Sequence, residues 1–168
     1  MKIRLSLFLT FIIISAFCPN LYCQKPAAIK GVLDLRQIPN KDKFIINLNG
    51  EWEFYWKKML HPHDFNAPFS PKPDIYGKVP SYWTEYSDNN FKTGKYGYAT
   101  YHLTILLPKN IINRLAFDVP VFDSSFDLWV NDILLTSNGQ TGKSEEETKP
   151  GYAPGFFRYT PVSDTLSI

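Results

Sequence analysis

Apolar and polar residues alternate with period two over several short stretches of this chain, and that period marks half-buried β-strands. The clearest case is Glu51-Trp52-Glu53-Phe54-Tyr55-Trp56. Trp52, Phe54 and Trp56 share one face; Glu51, Glu53 and Tyr55 share the other, which reads as solvated. The longest alternation covers residues 96–107. Tyr98, Thr100, His102, Thr104 and Leu106 lie on one side of it, Ala99, Tyr101, Leu103, Ile105 and Leu107 on the other. Residues 114–119 align Leu115, Phe117 and Val119, and residues 125–130 align Phe126, Leu128 and Val130 with Trp129 opposed. Phe44-Ile45-Ile46-Asn47-Leu48 and residues 133–136, 156–159 and 165–168 add shorter strands. Residues 75–79, ending before Pro80, read as an edge strand.

The punctuation between these runs is equally regular. Asn49-Gly50 predicts a tight turn, and Asn131-Asp132 predicts a two-residue hairpin, because both of its residues tolerate positive φ. Residues 57–73 hold four prolines and read as a loop with one helical turn at Pro62-His63-Asp64-Phe65. Residues 85–95 and 137–155 are polar loops, the second carrying Glu145-Glu146-Glu147. With 13 prolines and 9 glycines, no three-turn amphipathic helix survives the spacing. Many short strands separated by proline turns predict an all-β, antiparallel β-sandwich.

Residues 1–23 stand apart. Lys2 and Arg4 precede a thirteen-residue run, 5–17, that is apolar apart from Ser6, Thr10 and Ser15; Pro19 then ends any helix. A span of the bilayer needs about 20 residues, so this run has the length of a signal-peptide core. Cleavage after Cys23 is the working assignment, although Leu21 suits its position poorly, and Phe17 and Tyr22 argue against lipid attachment at Cys18 or Cys23. Removal of the segment takes away both cysteines and leaves acidic and basic residues in balance. A domain exported to the periplasm or beyond is then held by its core alone.

The whole chain has 168 residues and a formal charge of +2, with 16% aromatic residues. That aromatic share excludes a disordered chain, and the charge excludes a backbone binder of nucleic acid.

Four motifs occur in order: Leu48-Asn49-Gly50-Glu51-Trp52-Glu53-Phe54, Val79-Pro80-Ser81-Tyr82-Trp83, Gly97-Tyr98-Ala99-Thr100-Tyr101 and Leu128-Trp129-Val130-Asn131-Asp132. The series resembles the galactose-binding-like jelly roll that opens family 2 glycoside hydrolases. With Gly31-Val32-Leu33-Asp34-Leu35-Arg36 and Gly50-Glu51-Trp52-Glu53-Phe54-Tyr55-Trp56 added, it resembles more closely the periplasmic jelly roll of bacterial seven-transmembrane diverse-signalling receptors. The resemblance covers residues 30–168 and implies a jelly roll over residues 24–168 that stops inside its closing strand. Two positions depart from the pattern. Asp132 replaces a hairpin glycine, and His102 replaces a basic residue, which removes a permanent charge.

Candidate chemistry is sparse. Glu51 and Glu53 lie about 6.5–7 Å apart along a strand, the separation of a glycosidase pair, but they read as a solvated face. His61, His63 and Asp64 form an incomplete metal set on a loop, and His102 reads as a packed or edge residue. Ser124-Ser125 lacks the glycines of a nucleophile elbow. Glu145, Glu146 and Glu147 read as a solvated run; the resemblance adds a structural calcium as the alternative. Sugar sites stack pyranose rings on aromatic side chains, and Trp83, Tyr98, Trp129 and Asn138 are the ligand-binding candidates, while Trp52 and Trp56 read as core.

The expectation is therefore a non-catalytic sensor domain that binds a small carbohydrate outside the cytoplasm. It uses no cofactor and no nucleic acid, meets a membrane region only as part of a longer receptor, and self-associates through an open sheet edge. The alternative is the sugar-binding jelly roll of a family 2-like hydrolase without its barrel.

Overall fold

The computed structural model describes residues 25–38, 45–66, 68, 70–88, 90–109 and 115–168. The signal peptide and its cleavage bond lie outside these residues, as do Phe44 and Arg114, the first residues of two expected strands. Among the described residues there are ten strands: β1 (Val32–Asp34), β2 (Gly50–Trp56), β3 (Ile75–Val79), β4 (Ala99–His102), β5 (Thr104–Leu106), β6 (Leu115–Val119), β7 (Phe126–Val130), β8 (Ile133–Asn138), β9 (Gly155–Tyr159) and β10 (Thr165–Ser167). Short 3₁₀ turns occupy Pro62–Phe65 and Trp83–Glu85. The protein is all-β, with 40% strand, and its arrangement is compatible with a β-sandwich. No helix among the described residues is long and apolar enough to cross a membrane.

The aromatic alternation of β2 puts this strand at the centre of the sheet β3-β2-β4, with β3 at its edge as the sequence predicts. Phe54 is the hub of one face. Its ring meets Tyr86 at 5.0 Å and Tyr101 at 4.9 Å, both edge-on. Tyr86 lies across Gly77, the β3 residue opposite Trp52; a Cβ there would stand 2.4 Å from the Tyr86 ring. The other face is not solvated as expected. Tyr55 is 0% exposed and packs edge-on against Phe65. Alternation reveals two faces but not what covers them, and here Phe65 and the Pro71 carbonyl lie over the second at Tyr55.

The long run of residues 96–107 divides at Leu103 because it changes partners. β4 pairs with β2, whereas β5 lies between β1 and β10. Leu103 and Ile168 exchange backbone hydrogen bonds at the junction. On the opposite flank, Gly31 donates to the Glu51 carbonyl and accepts from Thr104. One strand path thus serves both sheets. The β1–β5 pair is parallel, so the sheets are not purely antiparallel.

Two sequence expectations in this region are corrected. Residues 45–48 form no strand, and Asn49-Gly50 is no hairpin turn. Gly50 opens β2 at φ 126°, and Ala28 bonds to Asn49 and Glu51 on either side of it. The N-terminal segment has taken the partners that a returning hairpin would use. A Cβ on Gly50 would lie 2.3 Å from the Ala28 carbonyl oxygen, so glycine is required.

The remaining strands form two pairs, β6 with β9 and β7 with β8. The β7–β8 hairpin turns at Asn131-Asp132 as predicted, with Asn131 in the left-handed region at φ 52° and Val130 opposite Ile133. The main core gathers Leu33, Leu103, Ile105, Val130, Tyr159 and Leu166. Each fully buried aliphatic side chain contributes about 1.5–3 kcal/mol. This core fixes the β7–β8 hairpin against β5 and β10, which places the site described next.

Candidate functional site

A cleft of about 380 Å³ is lined by His61, Pro62, His63, Trp129 and Asp132. Two loops build it. Pro62 opens the 3₁₀ turn, where a missing N–H and a preset φ suit it. The Asp64 carboxylate accepts from the His61 N–H at 2.8 Å and closes the turn on itself. The His61 and His63 rings then lie parallel, 5.8 Å apart. Beside them is the β7–β8 hairpin, in which Val130 and the left-handed Asn131 lie between Trp129 and Asp132. Trp129 stands nearly perpendicular to His61 at 6.0 Å. The cleft therefore offers an indole surface, two imidazoles and one carboxylate. Such a set can pack against the apolar face of a small polyol and hydrogen-bond its hydroxyls.

Next to this cleft runs a hydrogen-bonded series that sequence reasoning missed. Glu53 and His102 are direct cross-strand partners on β2 and β4. Ser167 pairs with Thr104, so it lies diagonal to His102 on the same face. The His102 Nδ1 is 2.6 Å from Glu53 Oε2, and its Nε2 is 2.9 Å from Ser167 Oγ. The Tyr55 hydroxyl donates to the same Glu53 oxygen at 2.9 Å. The Phe65 ring covers the imidazole, stacked at 4.1 Å and 9°. His102 keeps only 12% of its side chain exposed.

The electrostatics follow from these contacts. Burial opposes the charge on Glu53, but hydrogen bonds from His102 and Tyr55 outweigh it and hold the carboxyl below its ordinary value. Burial, reinforced by Glu53, pushes the Tyr55 phenol well above its usual range. With Glu53 ionised, Nδ1 carries the proton and Nε2 accepts from the Ser167 hydroxyl, an assignment made from the hydrogen-bond pattern.

Serine, histidine and carboxylate in this order are the parts of an activated nucleophile. An acyl transfer site also needs donors for the developing oxyanion. Here the Ser167 N–H is spent on Asn131 Oδ1 at 2.9 Å, and the Ile168 N–H on the Leu103 carbonyl. The series links β2, β4 and β10 through side-chain hydrogen bonds. In sequence it left one trace, the histidine standing where the resembling families carry a permanent cation. At that position the His102 Nδ1 hydrogen-bonds the Glu53 carboxylate.

The four ligand-binding candidates lie in three places. Trp129 lines the cleft. Trp83 is half-buried in the second 3₁₀ turn, edge-on to Trp56 at 5.4 Å, and its carbonyl accepts from Thr93. Tyr98 is half-buried beside that cluster: its carbonyl accepts from Lys57, and its neighbour Gly97 presses on the Trp56 ring. Asn138 ends β8 at 1% exposure, donating to the Ser124 and Phe122 carbonyls, with its own Oδ1 unpartnered. Trp83, Tyr98 and Asn138 do not line the cleft. The histidines of the 57–73 loop do, and sequence spacing considered them only as metal ligands.

His61, His63 and Asp64 do not complete a metal site, and among the described residues no three His, Cys, Asp or Glu side chains converge on one. The Glu147 carboxylate accepts from the Lys143 N–H, and Glu145 and Glu146 stay exposed on the same turn.

Comparison with models of protein families, with known proteins and with solved structures finds no match for this chain.

Proposed function

We propose that this protein is a non-catalytic, extracytoplasmic ligand-binding domain with a galactose-binding-like jelly roll, and that it captures a small carbohydrate. The binding place is the cleft between the His61-Pro62-His63 turn and the β7–β8 hairpin. One observation carries the reading: Trp129, in edge contact with His61, lines a cleft of about 380 Å³ together with Pro62, His63 and Asp132. The signal-peptide character of residues 1–23 supports an extracytoplasmic setting. The ordered motifs from Leu48 to Asp132 support the role of a receptor's sensing domain.

The test is calorimetric titration with a panel of methyl pyranosides. At least one is expected to bind, and Trp129→Ala is expected to weaken it about tenfold or more, which is about 1.4 kcal/mol. Binding by none of the panel, or binding indifferent to Trp129→Ala, overturns the reading.

A further inference from the structure

His102 has a contact leading to each wall of the cleft, and it belongs to neither. Its face packs on Phe65, the last residue of the 3₁₀ turn that carries His61 and His63. Its Nε2 edge bonds to Ser167. The Ser167 backbone is in turn bonded twice to Asn131: its carbonyl accepts from the Asn131 N–H at 2.7 Å, and its N–H donates to the Asn131 side chain at 2.9 Å. Asn131 is the turn residue between Trp129 and Asp132. The third contact, Nδ1 to Glu53, fixes the imidazole in its plane, and Tyr55 fixes Glu53.

We propose that His102 is a positioning residue for the cleft, holding the histidine wall through Phe65 and the tryptophan wall through Ser167. The two walls then shift together. The functional consequence rests on reading the cleft as the ligand site. A leucine at this position would fill the space beneath Phe65 and hold nothing on β10. The imidazole presents an aromatic face and two polar edges in fixed directions, and each is used.

The experiment needs no ligand. Trp and His side chains are labelled with ¹⁵N, and the Trp129 indole and the His61 and His63 imidazole resonances are read at one fixed pH. Trp129→Phe identifies the indole signal. Ser167→Ala deletes one hydroxyl on the β10 side. It is expected to displace the His61 and His63 resonances on the far wall, also in a Trp129→Ala background that removes the direct Trp129–His61 contact, and Ser167→Thr, which restores a hydroxyl, is expected to bring them back. His102→Gln is expected to move the signals of both walls. If Ser167→Ala moves Trp129 alone and leaves both histidines unshifted in a folded protein, the proposal is overturned. A methyl pyranoside titration of the same samples separates the two ideas. Coupled walls in a protein that takes no sugar support the positioning role and overturn the carbohydrate reading.

Discussion

Asn131 and Ser167 face each other across two strands and exchange two hydrogen bonds, one from backbone to backbone at 2.7 Å and one from backbone to side chain at 2.9 Å. Asn131 also donates from its Nδ2 to the Tyr159 hydroxyl at 2.8 Å. A residue that sequence reads as a mere turn former thus joins the β7–β8 hairpin to both β9 and β10. Asn131→Ala loses two side-chain bonds and strains the left-handed backbone, for an expected cost of about 2–4 kcal/mol. Asn131→Gly relieves the backbone strain alone, so it is expected to fall between wild type and alanine. Urea unfolding of the three proteins checks the order.

Glu53 gives the fold a dependence on acid. Its carboxyl is held below the ordinary value of 4.5, so the folded state binds its proton less readily than the unfolded state. The stability that follows is complete above pH 4.5 and is lost as pH falls below it towards the lowered folded value. Denaturation midpoints are expected to drop over that acidic range. Glu53→Gln is expected to be less stable at pH 7 and to flatten the acidic slope. An equal slope in both proteins would assign the acid sensitivity to other carboxylates.

Gly77 and Tyr86 test steric fit. Gly77→Ala places a methyl 2.4 Å from the Tyr86 ring and is expected to cost about 1–3 kcal/mol. In a Tyr86→Leu background the same substitution is expected to cost clearly less. A double-mutant cycle by thermal unfolding reads the coupling, and independent costs would contradict the packing described.

Phe54, at 0% exposure, anchors the aromatic face of β2. Phe54→Ala is expected to destabilise by about 3–5 kcal/mol, with loss of near-ultraviolet dichroism from the neighbouring tyrosines.

Much of the strand architecture was legible in the sequence. The alternations of β2, β6 and β7, the edge position of β3, the Asn131 turn and the helical turn at Pro62–Phe65 all follow from local periodicity and turn chemistry. Long-range competition hid the rest. Asn49-Gly50 has the composition of a hairpin turn, but Ala28 occupies the backbone groups on both sides of it. Leu103 looks like the middle of one strand, and nothing local shows that its two ends pair with different sheets. Glu53 and Tyr55 read as a solvated face because a strand pattern does not record that a distant phenylalanine will lie over it. The cleft was half legible. Trp129 stood out as an aromatic opposed to its apolar neighbours, whereas the partnership with His61 and His63 exists only once two separate loops meet.

The division of strand 99–106 at Leu103 also decides how the molecule comes apart. Sheets that own separate strands can open one at a time. Here Ala99–His102 completes one sheet and Thr104–Leu106 forms the middle of the other, with a 0% exposed leucine between them. Releasing either half removes the anchor of its neighbour. The two sheets are therefore expected to unfold as one cooperative unit, with the Leu103 amide, bonded to Ile168, exchanging its hydrogen only when that whole unit opens.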